Sequence, residues 1–185
     1  VNNIIGIDPA ARKLAIWASS MQGADPVPFY TKLSMEDEQA CAMAFRSLST
    51  IFSSEIELWK GLAQQPKLIV YIEKPFVGRG GIQSTLVQVL VHGALLAAAG
   101  EFNAELHRVD NMTWKSSLLK NAKADKDEIA QYVKDRDPYL FERCEGNQDL
   151  IDALCIYWYG QKNYPLLEKA RGLHAKAKAA KKKRP

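Results

Sequence analysis

The chain has 185 residues, 47% of them hydrophobic, and a formal net charge of +4. That length suits one compact α/β domain and is short for two, and the apolar content excludes wholesale disorder. The charge is uneven: residues 169–185 hold eight Lys or Arg and no acid, which leaves a mildly acidic body of net −4. A basic end of this kind contacts nucleic acid or is a solvated, disordered tail.

The first strand is expected over residues 3–8, where Ile4, Ile5 and Ile7 run into Asp8 before Pro9. A carboxylate where an apolar strand stops either caps a turn or meets a cation. Residues 15–18 and a stretch near Phe29-Tyr30 read as strands two and three of an antiparallel meander, joined through Gly23 and Asp25-Pro26. Residues 35–62 turn helical, with a capping signal at Ser34 and Asp37 and one apolar face from Phe45, Leu48, Ile51, Phe52 and Ile56.

The run Leu68-Ile69-Val70-Tyr71-Ile72-Glu73 suits a central strand buried on both faces. Like the first strand, it ends in an acid followed closely by proline. Gly78 to Gly81 forms a loop, and a helix is expected over residues 82–99. Ser84, Gln88 and His92 place its polar residues on one narrow stripe, with the rest apolar or small. Such a helix needs cover on more than one side, so a homodimer through it is expected.

Residues 104–109 form a fifth strand. Residues 111–134 carry two helical pieces around a loop near residues 121–125, and residues 136–147 read as polar and irregular. A helix then opens at Asp149 and runs to about residue 159. Strands one, four and five are separated by helices and so run parallel. The expected fold is α/β, a five-stranded mixed sheet flanked by helices, with a domain over residues 1–165 and a basic, flexible tail over residues 166–185.

Cys41, Cys144 and Cys155 form no CxxC pair and no metal-ligand spacing, and are expected as buried free thiols in a reducing compartment. No secretory signal is read at the N-terminus. The longest apolar run, residues 86–99, is interrupted by Gln88 and His92 and is too short for a bilayer. The expected protein is soluble, cytoplasmic and without a membrane partner.

Four acids fall at special places. Asp8 and Glu73 end two apolar strands, and Asp149 and Asp152 share one helix face at i, i+3. If the two strands are neighbours, all four meet at the carboxyl ends of parallel strands, where ligands bind in such sheets. Carboxylates this close do not all stay ionised without cations, and hard oxygen ligands select Mg²⁺ or Mn²⁺. Two such ions can polarise and hydrolyse a phosphodiester. Singly, each acid has a plainer reading as a cap, a helix-dipole residue or a strand-end surface residue.

On these residues the sequence resembles the RuvC family of Holliday-junction resolvases, which have a ribonuclease-H-like fold. Gly6-Ile7-Asp8-Pro9-Ala10 is similar to the family's Gly-Ile-Asp-Pro-Gly, and Ile72-Glu73-Lys74-Pro75-Phe76 to its Ile-Glu-x-x-Phe. Asp149-Leu150-Ile151-Asp152-Ala153-Leu154 is similar to its Asp-Ala-Ala-Asp-Ala-Leu. Trp114-Lys115 followed by Ala124-Asp125-Lys126 matches a segment with two lysines eleven residues apart.

The resemblance implies that Asp8, Glu73, Asp149 and Asp152 are catalytic acids holding two Mg²⁺ ions, with Mn²⁺ able to substitute. It implies that Lys115 and Lys126 contact DNA phosphates and that Phe76 stacks on bases at an opened crossover. Arg79, Lys120 and Lys123 join the expected DNA-binding set. The implied reaction is paired, symmetric nicking of four-way branched DNA by a homodimer, leaving 5′-phosphates and 3′-hydroxyls, in a bacterial or phage-infected cell. A branch-migration partner is compatible with this role.

Three features depart from the family pattern. Ala10 replaces a glycine, the glycines between the two lysines are absent, and the basic tail is not a family hallmark. Rival readings are a ribonuclease-H-like nuclease for other branched or hybrid substrates, a non-catalytic junction-binding protein, and a sugar-kinase or actin-like ATPase. The chain is short for the two lobes of the last.

Overall fold

The computed structural model describes residues 2–19, 25–59, 66–75 and 81–182. The strands are β1 (Asn2–Pro9), β2 (Lys13–Ala18), β3 (Val27–Lys32), β4 (Lys67–Glu73) and β5 (Glu105–Val109). The helices are α1 (Asp37–Trp59), α2 (Gly81–Glu101), α3 (Asn111–Leu119), α4 (Lys126–Arg136), α5 (Pro138–Glu142) and α6 (Gln148–Lys182). The sheet order is β3-β2-β1-β4-β5. Strands β1, β2 and β3 pair antiparallel, while β1, β4 and β5 pair parallel, as the helical crossovers require.

Both faces of the sheet are covered, and the strand alternation sorts residues between them. Ile5, Ile7, Leu68, Val70 and Ile72 pack with α1 and α2. Ile4, Ile69 and Tyr71 pack on the other face with α6. By the same period of two, Asp8 and Glu73 fall on the α6 face. The parallel register pairs Ile7 with Ile72, so Asp8 and Glu73 stand side by side one step later.

Helix α6 carries the remaining two acids and is drawn onto the sheet by two devices. The buried Trp17 indole N–H donates to Leu150 O at 2.8 Å. Gly6 supplies the second, a gap for the α6 backbone: a Cβ there would lie 2.3 Å from Tyr157 N and 2.7 Å from Ala153 O. Gly160 repeats the theme one turn on, against Tyr71 and Ile4.

Several expectations are corrected. Residues 136–147 are not wholly irregular: Asp137 caps α5 by accepting from Leu140 N at 3.0 Å, with Pro138 opening the helix. Helix α6 passes residue 159 and continues through Pro165 to Lys182. Cys144 and Cys155 are buried free thiols, but Cys41 is only half-buried.

Helix α2 also differs. Its 21 residues, with a mean hydropathy of 1.5 over the most apolar window, are long and apolar enough to cross a membrane. The helix expected over residues 82–99 stands to within two residues, but the apolar run over 86–99 is only a part of it. A third of that window is buried in the fold. His92 is buried, and Gln88 reaches inward to donate to Pro9 O at 3.1 Å. Two members of the polar stripe therefore face the protein, while Ile82, Leu86, Val89 and Leu90 are exposed.

Candidate active site

The carboxyl ends of β1 and β4 bring Asp8 and Glu73 together, and the first two turns of α6 add Asp149 and Asp152. Asn147 starts that helix: its Oδ1 accepts from Asp149 N at 3.0 Å. The cap is therefore Asn147, which leaves the Asp149 carboxylate available for other work. Desolvation is the largest cause that pushes the Asp8 carboxyl well above the usual carboxylate range, followed by repulsion from Glu73, Asp152 and Asp149. Lys13 offsets part of this.

The other acids have identifiable holders. Asn111 Nδ2 donates to Glu73 Oε1 at 3.0 Å, and the fully buried Trp114 donates through Nε1 to Oε2 at 2.8 Å. Burial raises the Glu73 carboxyl, while these two hydrogen bonds and Lys115 pull it down. Gln148 Nε2 donates to Asp152 Oδ1 at 2.8 Å, one helical turn away. Burial still dominates there and pushes the Asp152 carboxyl up to about 6, with Glu73 and Asp149 adding repulsion. Asp149 Oδ2 pairs with Lys13 Nζ at 3.2 Å.

Of the expected lysines, Lys115 acts electrostatically on Glu73 and Asp152. Its ammonium donates to Ala124 O at 3.0 Å and lies 5.6 Å from the centre of the Trp114 ring. Lys120 ends α3 in the left-handed region, φ 61°, and donates to Ser117 O at 3.2 Å. It thus takes a conformation that favours glycine. Lys123 and Lys126 are exposed on the stretch that leads into α4. That stretch is held by a capping box between Asp125 and Glu128. Phe76 and Arg79 lie outside the described residues.

Ala10 needs no special backbone, since residues 10–12 all keep negative φ. The hairpin closes with Ala10 N donating to Lys13 O at 3.0 Å. A cleft of about 550 Å³ opens beside Glu73, lined by Lys74, Pro75, Asp110, Asn111 and Met112. The sequence reading missed Lys13, Asn111, Trp114 and Gln148 as site residues. Only Trp114 carried a signal, its place directly before Lys115.

The donor set fits a divalent cation in its chemistry. It is all carboxylate oxygen, and burial and mutual repulsion leave Asp8, Glu73 and Asp152 short of positive charge. Among the described residues, however, no three such side chains close on one point. Glu73, Asp152 and Asp149 are each held by another group.

No protein-family model matches the sequence, and no curated protein matches it. Solved structures do match. Thermus thermophilus RuvC aligns with a TM-score of 0.68 at 18% identity, covering 89% of this chain and 96% of that one. The same protein in complex with a Holliday junction substrate gives 0.69 at 18% identity, covering 90% and 96%. The yeast mitochondrial Holliday junction resolvase Ydc2 gives 0.54 at 13% identity, covering 91% and 84%. The fold is therefore RuvC-like, with the five-stranded mixed sheet of ribonuclease-H-like proteins.

Proposed function

We propose that this RuvC-like chain is a structure-selective endonuclease that resolves four-way DNA junctions by metal-dependent phosphodiester hydrolysis. The observation that supports this reading is that Asp8 and Glu73 end neighbouring parallel strands and that Asp8 lies near enough to Glu73, Asp152 and Asp149 of α6 to be repelled by all three. The Thermus protein of similar fold is known in complex with a Holliday junction substrate, which favours branched DNA over a hybrid or linear duplex.

The four acids would hold Mg²⁺ or Mn²⁺, which supplies Lewis acidity to a phosphodiester and to an attacking water. The chain's own groups prepare the site. Asn111 and Trp114 fix both oxygens of Glu73, and Gln148 fixes one oxygen of Asp152. Lys115 brings positive charge toward the same acids. Lys120, Lys123 and Lys126 offer a basic approach for backbone phosphates, an interaction that weakens with salt.

A homodimer fits the task, because two sites related by a two-fold axis nick two strands of a two-fold-symmetric junction. The exposed apolar face of α2 supports this assembly. The test is cleavage of a fixed four-way junction with and without Mg²⁺, beside a flap, a linear duplex and an RNA–DNA hybrid. Asp8→Asn is expected to abolish nicking and spare junction binding. Retained nicking would refute the assignment, and metal-independent binding with no nicking by the wild type would make the chain a junction-binding protein.

A further inference from the structure

The four acids are not held alike. Glu73 is held by an amide and an indole, and Asp152 by an amide. Among the described residues, Asp149 is the one acid of the four in an ion pair. Its partner, Lys13, opens β2 immediately after the tight hairpin that follows Asp8. That hairpin is anchored on its other side. Arg12 donates to Ser34 O at 2.9 Å and pairs with Asp37 at the start of α1. Lys13 is thereby left to reach across to α6, with its side chain 50% exposed against 24% for Asp149.

The distinction between a neutral and a charged holder matters for cation binding. A neutral N–H donor occupies one lone-pair direction of a carboxylate and can stay there when a cation takes another. An ammonium cannot do so at the same cost, because it repels a divalent cation at the same carboxylate. Resting on the reading of the acids as a cation site, we propose that Lys13 is the resident counter-ion of Asp149. A divalent cation must displace it, so Lys13 sets how tightly the site holds Mg²⁺ or Mn²⁺. Lys13 is then a positioning residue that acts through Asp149 and opposes the cation.

The sign of the effect makes this testable. Mn²⁺ binding is titrated by calorimetry, or by electron paramagnetic resonance of the free ion, in DNA-free protein at fixed ionic strength. Lys13→Met keeps the apolar stem and removes the charge, and is expected to bind Mn²⁺ about three- to tenfold more tightly than the wild type. Lys13→Arg keeps the charge and is expected to stay within about twofold. A merely structural lysine would give unchanged or weaker binding on Lys13→Met, and that result would overturn the inference while leaving the cation site standing. Wild-type protein that shows no Mn²⁺ binding sensitive to Asp8→Asn would overturn the cation site, and the inference with it.

Discussion

Gly6 of β1 lies directly beneath Tyr157 of α6, so close that a Cβ on Gly6 would stand 2.3 Å from the Tyr157 main-chain nitrogen. This contact sets how near the helix carrying Asp149 and Asp152 comes to the strand carrying Asp8. The glycine two residues before the acid thus serves close packing, not a turn.

Gly6→Ala is therefore expected to cost about 3 kcal/mol or more in denaturant unfolding, because the obstacle is backbone with no rotamer to yield. Gly160→Ala meets the side chains of Tyr71 and Ile4, at 2.6 and 2.9 Å. It should cost less, about 1–2 kcal/mol, since side chains can shift. Equal costs would mean that the helix is free to lift from the strand at Gly6.

Trp114→Phe removes the indole donor from Glu73 Oε2 and leaves a partly buried carboxylate with Asn111 as its remaining hydrogen-bond donor among the described residues. Loss of a hydrogen bond to a charged group predicts a stability loss of about 2 kcal/mol. A slower junction cleavage at saturating Mg²⁺ is also expected. Unchanged cleavage in the folded variant would show that the orientation of Glu73 is not set by Trp114.

The raised acids make a pH prediction with a definite sign. Asp152 titrates near 6 in the folded chain against 3.8 unfolded. Between those values the folded state binds more protons, so this contribution to stability is present below about pH 4 and is lost as the pH rises through about 6. The raised Asp8 and Glu73 carboxyls act in the same direction. Burial holds His92 below the usual imidazole range, which acts the opposite way over the same interval, so the acids are read against an Asp152→Asn variant in which His92 is unchanged. Without divalent cations the wild type should gain melting temperature relative to that variant as the pH falls from 7 toward 5, and saturating Mg²⁺ should flatten the gain. A chain of this size gains roughly 2–4 °C per kcal/mol. No gain relative to Asp152→Asn over this interval would contradict strong desolvation of Asp152.

The outward face of α2 predicts the assembly state. Leu86 and Leu90 are each about half exposed, at 51% and 50%, beside Val89 at 49%. Leu86→Asp combined with Leu90→Asp should convert a dimer into a monomer in sedimentation equilibrium at micromolar concentration, with little effect on the fold. A wild-type protein that is already monomeric there would remove the dimer from the proposal.

Much of the fold follows from sequence pattern alone. The apolar runs ending in Asp8 and Glu73, the helices between them and the i, i+3 spacing of Asp149 and Asp152 dictate a mixed sheet with the acids at its carboxyl ends. Strand and helix periods are local properties, so they can be read without a structure. The five-residue helix after Asp137 is less legible because little more than one turn offers no repeated 3.6-residue period to read, although Asp137-Pro138 is a helix-start signal.

The tertiary structure decided what holds each acid. Lys13 reaches Asp149 across 136 positions of sequence, and Trp114 reaches Glu73 across 41. Trp114 by pattern is one more core aromatic, and Lys13 one more surface lysine at the start of a strand. Their partners are set by the hairpin after Asp8, by the β1–β4 register and by the gap that Gly6 leaves for α6. Hydrogen bonds and ion pairs between distant elements depend on how those elements pack, and no local period in the chain records that.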